Sequence, residues 1–95
     1  MDKKGIYQAM IKTKLKKANA KIYQLKAKAE KVNVVDGIDY YKQIEKVKAM
    51  RDLLRLELQE LKEIEKDPGG NIEKRIQNSM NDLEETLDIE VSKPR

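Results

Sequence analysis

Apolar residues recur in alternating steps of four and three along the first third of the chain. They are Ile11, Leu15, Ala18, Ile22, Leu25, Ala29 and Val32. A second run with the same spacing, broken by Arg51 where an apolar residue is due, consists of Tyr40, Ile44, Val47, Leu54, Leu58 and Leu61. Because this spacing places apolar side chains on one stripe of a helix, the two runs predict two long helices that pair along those stripes.

The composition agrees with paired helices and limits the size of the core. The chain has 95 residues, of which 40% are charged, and it contains neither Phe nor Trp. A charged fraction this high in a chain without Phe or Trp is typical of long helices or of disorder, and the periodic recurrence of Leu, Ile and Val favours helices. We therefore expect one all-α domain over residues 1–95, an elongated antiparallel helical hairpin with a shorter third helix, in a three-helix bundle or coiled coil.

Two breaks divide the chain into three predicted helices. The Val-Val-Asp-Gly segment at residues 34–37 predicts a turn in which Asp36 caps the second helix and Val35 packs on Tyr40 as a hydrophobic staple. The Asp-Pro-Gly-Gly segment at residues 67–70 ends the second helix, because Pro fixes φ and Gly frees it. The predicted helices cover about residues 3–32, 37–66 and 71–90, and residues 91–95 form a frayed tail.

The second helix carries more apolar residues than one stripe can bury. Those outside its run are Met50, Leu53, Leu56 and Ile64. The third helix has an apolar face made of Ile72, Ile76, Met80, Leu83 and Leu87. Either this helix or a second copy of the chain can cover the surplus, and the two possibilities are compatible. The four surplus residues are therefore the predicted surface for a protein partner or for self-association.

Positive charge is concentrated in the first helix. Residues 1–35 have a balance of +8, residues 36–66 of −1 and residues 67–95 of −3. The heptad positions predict one basic row per helix, and these rows are Lys14, Lys21 and Lys28, and Lys48, Arg55 and Lys62. In an antiparallel hairpin the second row faces Lys12 and Lys26, so like charges meet and leave a basic groove. The two rows are the predicted surface for an anionic partner.

The positive charge of the predicted groove is either neutralised locally or used to bind a partner. It can be neutralised by water, salt or the acidic residues of the third helix, which include Glu73, Asp82, Glu84 and Glu85. Alternatively it receives an acidic protein, an anionic membrane surface or nucleic acid. Nucleic acid is the weakest of these partners because arginines are few and no aromatic platform or reading motif is present. The absence of bulky apolar anchors from the first helix argues against a membrane.

The chain lacks the side chains that most catalytic and metal sites use. It has no Cys and no His, which argues against hydrolytic and metal-dependent catalysis. We therefore expect a non-enzymatic protein with no catalytic residue, metal, cofactor or small-molecule substrate. No apolar stretch has the length of a signal peptide core or a membrane span, so the expected location is the cytoplasm.

Two sets of charged residues in the second helix are expected to have structural roles. The glutamates Glu57, Glu60, Glu63 and Glu65 predict a solvated face, because the carboxylate metal sites of helical bundles also need histidines. Arg51 predicts a residue that sets the register of the pairing. Its guanidinium is expected to reach the surface, or to pair with an acid such as Glu57 or a carboxylate of the third helix.

The order of residues in the first two helices resembles a known family. The matching positions are Tyr7, Lys14-Leu15, Ala20-Lys21-Ile22, Leu25-Lys26-Ala27-Lys28-Ala29, Tyr41, Ile44, Arg51, Leu58 and Leu61-Lys62. Over about residues 5–62 the chain is similar to short, uncharacterised bacterial coiled-coil proteins, some of which are labelled as stress-response proteins. The resemblance implies no catalytic residue. It implies a bacterial coiled-coil protein, and the label carried by some members implies a stress-related role.

Overall fold

The computed structural model describes residues 2–88, which form three α-helices and no strand. They are α1 (Lys3–Lys31), α2 (Val34–Glu63) and α3 (Gly70–Asp88). The predicted tail at residues 91–95 and the last two residues of the predicted third helix lie outside this description. The all-α fold, with two long helices and a shorter third, is confirmed.

The first two helices form an antiparallel hairpin, and α3 packs against both of them. At one end of the hairpin, Lys4 Nζ donates to the Ile64 carbonyl at 2.5 Å. Further along, Arg51 Nη1 donates to Asn19 Oδ1 at 3.3 Å, so the two helices run in opposite directions. The molecule measures 52 × 18 × 18 Å, the shape of a narrow bundle.

Both predicted apolar runs lie in the core. In α1 all members of the run are buried except Leu15 and Val32, which are partly buried, and in α2 every member is buried. The apolar face of α3 closes the core with Ile76, Met80 and Leu83. Arg51, at the interruption of the second run, pairs with Asp52 at 3.1 Å and with Asn19. Arg51 thus pairs with an acid, as expected, but the acid is Asp52 and not Glu57 or a carboxylate of α3, because Arg51 lies on the side of α2 that faces α1.

The turn between α1 and α2 is shorter than the sequence predicts. Only Val32 and Asn33 are outside the helices, both with extended backbones, and Asn33, rather than Asp36, is the N-cap of α2. Its side-chain oxygen accepts from the Asp36 amide at 2.9 Å, and its carbonyl accepts from the Gly37 amide at 2.9 Å. An asparagine that satisfies these free amides outweighs the weak helix propensity of two valines, so α2 begins at Val34.

The second linker begins earlier than predicted, since α2 ends at Glu63 instead of Lys66. Its last carbonyls need partners, and Lys4 Nζ of α1 supplies them by donating to Lys62 and Ile64. Asp67 Oδ1 accepts from the Lys4 amide at 3.4 Å. The first turn of α1 thus holds the end of α2 and positions the start of α3.

Candidate docking groove

The predicted self-association surface is divided by α3. Met50 and Ile64 are partly buried and pack against the core. Leu53 and Leu56 remain 49% and 64% exposed. Two of the four surplus apolar residues are therefore partly buried in the folded chain, and two leucines remain in contact with water.

These leucines border a groove between α2 and α3 with a volume of about 330 Å³. Its lining residues are Leu53, Leu56, Glu57, Glu60, Arg75, Asn78 and Ser79. Arg75 Nη2 and Glu60 Oε2 form an exposed ion pair at 2.7 Å that links the two helices. The groove thus combines an apolar wall on α2 with polar groups from α3.

A second stripe on α2 explains how α3 is held. Its members follow the same alternating steps of four and three, and they are Gln43, Val47, Met50, Leu54, Glu57, Leu61 and Ile64. Two of them bond directly to α3. Buried Gln43 donates from Nε2 to the Thr86 carbonyl at 2.6 Å, and Ser79 Oγ donates to Glu57 Oε1 at 2.5 Å. We call these seven residues the α3-facing stripe.

Glu57 forms part of the floor of the groove. It is only 6% exposed, so its predicted place on a solvated face is wrong, whereas Glu60, Glu63 and Glu65 are exposed as expected. Within residues 2–88 no group donates a hydrogen bond to Glu57 Oε2. Burial raises the pKa of the Glu57 carboxyl, and the hydrogen bond from Ser79 only partly opposes this. The sequence carries the signal, because Glu57 lies three residues after Leu54 and four before Leu61.

Part of the lysine row of α1 is neutralised by α3. Lys14 and Lys17 both form ion pairs with Glu84, the second at 3.2 Å. Hydrogen bonds from Lys14 first, and then from Lys17, hold the pKa of the Glu84 carboxyl below its ordinary value. Lys21 lines a shallow pocket beside Glu84, and Lys28 is exposed. The expected neutralisation by the third helix therefore involves Glu84.

The other acidic residues named for α3 do not act on this row. Glu73 forms an ion pair with Lys3 at 3.3 Å, nearer the start of α1. Asp82 and Glu85 are exposed on the surface of α3. The contacts from Glu73 and Glu84 place the basic start of α1 beside α3 along most of the length of the shorter helix.

The basic row of α2 lies on the opposite flank of the core from α3. Lys48 Nζ is 3.8 Å from Glu45, and Arg55 Nη1 is 3.7 Å from Asp52, each acid being one turn earlier in the same helix. Lys62 is exposed. Helical periodicity places this row away from the α3-facing stripe, so the six residues of the predicted anionic-partner surface are divided between two faces.

The tip of the hairpin exposes three apolar residues, one of which, Val35, was predicted to form a hydrophobic staple with Tyr40. Val34 and Val35 are 85% and 75% exposed, and Ile38 is 45% exposed. They stay exposed because they lie on the side of α2 turned away from α1, whereas Gly37 of the same turn is buried beside the Ala29 carbonyl of α1. Val35 therefore does not hold the turn as predicted.

No group of three acidic side chains within residues 2–88 is arranged to hold a metal ion. In the same part of the chain, each helix is too short or too polar to cross a lipid bilayer. No protein-family model matches the chain, and no curated protein or solved structure is detectably similar to it.

Proposed function

We propose that this chain is a non-enzymatic protein-interaction module that binds a helical segment of another protein in the groove between α2 and α3. The observation that supports the proposal is the exposure of Leu53 and Leu56 beside a groove, while the other two surplus apolar residues, Met50 and Ile64, are partly buried. An amphipathic helix laid in such a groove buries leucines that otherwise contact water. The partner is either a different protein or a second copy of the chain.

Selection of helical peptides against the purified protein tests this proposal. Peptides displayed on phage and selected for binding should carry apolar residues at spacings of three and four, and Leu56→Glu should abolish their binding. Val34→Glu is the matched control, because it places the same charge on another exposed apolar position, at the hairpin tip and away from the groove. The proposal fails if the selected peptides bind the wild type and Leu56→Glu equally well.

Sedimentation equilibrium over a range of protein concentrations distinguishes the two kinds of partner. If the partner is a second copy, the mass rises toward a dimer in the wild type and in Val34→Glu but stays monomeric in Leu56→Glu. If the wild type remains monomeric at the highest concentration, self-association through this surface is excluded and the groove serves a different protein.

A second candidate function is binding to an anionic surface through the face of the hairpin opposite α3. Exposed Lys12, Lys26 and Lys62 support it, because like charges in the facing rows of α1 and α2 leave that face basic. Titrations with duplex DNA and with vesicles containing anionic lipid, repeated at several salt concentrations, test it. Absence of binding to both at the lowest salt concentration would reject this function.

The proposed module needs no cofactor or small-molecule substrate. The cytoplasmic location expected from the sequence stays a prediction. The stress-related role, which comes from the resemblance to bacterial coiled-coil proteins, also stays a prediction. Comparing the growth of a deletion strain with that of its parent under heat, acid and osmotic stress would test it.

A further inference from the structure

Two tyrosines of the long helices are exposed to water. Tyr23 of α1 is 77% exposed and Tyr41 of α2 is 51% exposed, whereas Tyr40 is buried and Tyr7 packs against the core. An exposed phenol ring offers a large apolar contact area with a polar tip, and tyrosine is enriched at binding surfaces for this reason. The position of the two rings therefore indicates what they bind.

Tyr23 lies on the flank of α1 that is opposite α3. Asn19 marks this flank, because its Oδ1 accepts from Arg51 Nη1 of α2 at 3.3 Å, while the lysines that pair with α3 lie on the other flank. Tyr23 follows Asn19 by four residues, which places the two on the same side of the helix. Lys16 and Lys26, three residues before and seven after Asn19, lie on that side as well.

Tyr41 belongs to the basic row of α2. It precedes Lys48 by seven residues, and the row continues in steps of seven to Arg55 and Lys62. Residues seven apart share one side of an α-helix, so Tyr41 lies on the same side of α2 as these cations. The two rings thus belong to one surface, which both long helices form on the side of the hairpin away from α3.

This surface, which we call the basic face, has an excess of positive charge. Its cations are Lys12, Lys16, Lys26, Lys48, Arg51, Arg55 and Lys62, and its acids are Glu30, Glu45 and Asp52. Glu45 and Asp52 neutralise part of the α2 row through contacts of 3.8 Å and 3.7 Å. Cations still outnumber acids, so the basic face as a whole attracts anions.

We propose that the basic face binds single-stranded nucleic acid, whose bases stack on Tyr23 and Tyr41 and whose phosphates contact the lysines. The inference rests on the second candidate function and names the anionic partner. The sequence alone shows no aromatic platform, because the two tyrosines are on different helices and only folding brings them to one face. Since Asn19 is level with Arg51, antiparallel pairing places the rings about 9 Å apart along the bundle axis, within reach of one strand.

The tyrosines favour a single strand over the other anionic partners. Unpaired bases expose flat rings that stack on aromatic side chains, whereas the bases of a duplex are already stacked on one another. An anionic membrane or an acidic protein matches the charge but has no series of flat rings. Positive charge beside exposed aromatic rings is the arrangement with which proteins bind single strands irrespective of sequence.

Fluorescence anisotropy with a labelled oligothymidylate of about 20 nucleotides tests the proposal on the full chain. Tyr23→Ala should weaken binding about tenfold, as the loss of one base–aromatic stack predicts, and Tyr23→Phe should bind like the wild type. Leu56→Ala is the matched control, because it removes another exposed apolar side chain from a different face, and it should leave the affinity unchanged.

Tyrosine emission provides a second readout, because the chain has no Trp. Oligothymidylate should quench this emission, whereas inorganic polyphosphate, which has phosphates but no bases, should bind without quenching it. Lys26→Gln should weaken the binding of both and reduce the slope of log affinity against log salt by about 0.7. Lys74→Gln removes the same charge from the surface of α3 and should change neither.

Equal affinity of the wild type and Tyr23→Ala for oligothymidylate would overturn the inference, as would equal quenching by oligothymidylate and polyphosphate. Circular dichroism shows whether Tyr23→Ala is folded; if it is not, Tyr41→Ala provides the same test. Tighter binding of duplex DNA or anionic vesicles than of the single strand would overturn the inference and leave the second candidate function in place. Absence of binding to all of them at low salt would reject both.

Discussion

Replacing Glu57 with methionine should stabilise the free protein at neutral pH. The carboxyl is 6% exposed, one of its oxygens lacks a donor, and burial outweighs the hydrogen bond from Ser79 in setting its pKa. An unpartnered buried acceptor costs about 1–3 kcal/mol, and an apolar residue of similar length removes that cost. Allowing for the lost bond to Ser79, we expect a gain of about 1 kcal/mol, or a melting temperature about 5 °C higher.

The gain should depend on pH, because the pKa of Glu57 is raised in the folded state. The folded protein then holds this proton more tightly than the unfolded chain does. The wild type therefore loses stability as pH rises from the ordinary glutamate pKa of 4.5 through the folded value. The methionine variant lacks this loss, so its advantage should be smaller at about pH 4 than at about pH 7.

Urea unfolding followed by circular dichroism at both pH values measures the difference. Glu45→Met on the exposed face of α2 is the control, and it should change stability by less than about 0.5 kcal/mol at either pH. A methionine variant that is less stable than the wild type at neutral pH would refute the reasoning. So would an advantage of the same size at both pH values.

Three further substitutions test the fold. Leu54→Ala removes a fully buried side chain at the centre of the bundle and should lower the free energy of unfolding in urea by about 3 kcal/mol or more. A loss under about 1 kcal/mol would place Leu54 outside the core. Gly37→Ala should raise the melting temperature by stabilising α2 by about 0.5–1 kcal/mol, since an added Cβ lies 3.5 Å or more from its neighbours; a lower melting temperature would reveal a clash. Glu84→Gln should lower the free energy of unfolding by less than about 1 kcal/mol at neutral pH, where Lys14 and Lys17 stabilise the ionised carboxyl. Because the pKa of Glu84 is lowered in the folded protein, this difference should disappear as the pH falls through the folded-state pKa. A difference that stays constant with pH would contradict the ion pairs.

The hairpin could be predicted because its information is local and periodic. Each step in the apolar runs repeats one geometric rule, so single exceptions such as Arg51 do not hide the pattern. The helix ends were less predictable. The start of α2 depends on whether Asn33 or Asp36 caps it, and both are good capping residues. The end of α2 depends on Lys4, which is distant in sequence, so no local pattern could place it at Glu63.

The candidate site was only partly visible in the sequence. Surplus apolar residues on α2 indicated a further contact, and the leucine pair belongs to that set. The α3-facing stripe was present too, but its polar members Gln43 and Glu57 hid its periodicity. Exposure of Leu53 and Leu56 could not be predicted, because it depends on the angle at which α3 lies around the hairpin.

Charge and buried polar contacts together explain that angle. The hairpin has two flanks on which a third helix could lie, and only the flank with Lys3 and Lys14 meets the acids Glu73 and Glu84. Exposed ion pairs contribute little stability and the other flank is also basic, so the flank is chosen mainly by the buried contacts of the α3-facing stripe, which include those of Gln43 and Glu57. The hydrogen bond from Gln43 to Thr86 then fixes the position of α3 along the hairpin. With α3 on this flank, the opposite face of the hairpin stays basic and the groove forms between α2 and α3. Both candidate surfaces, the basic face and the docking groove, therefore follow from the position of α3.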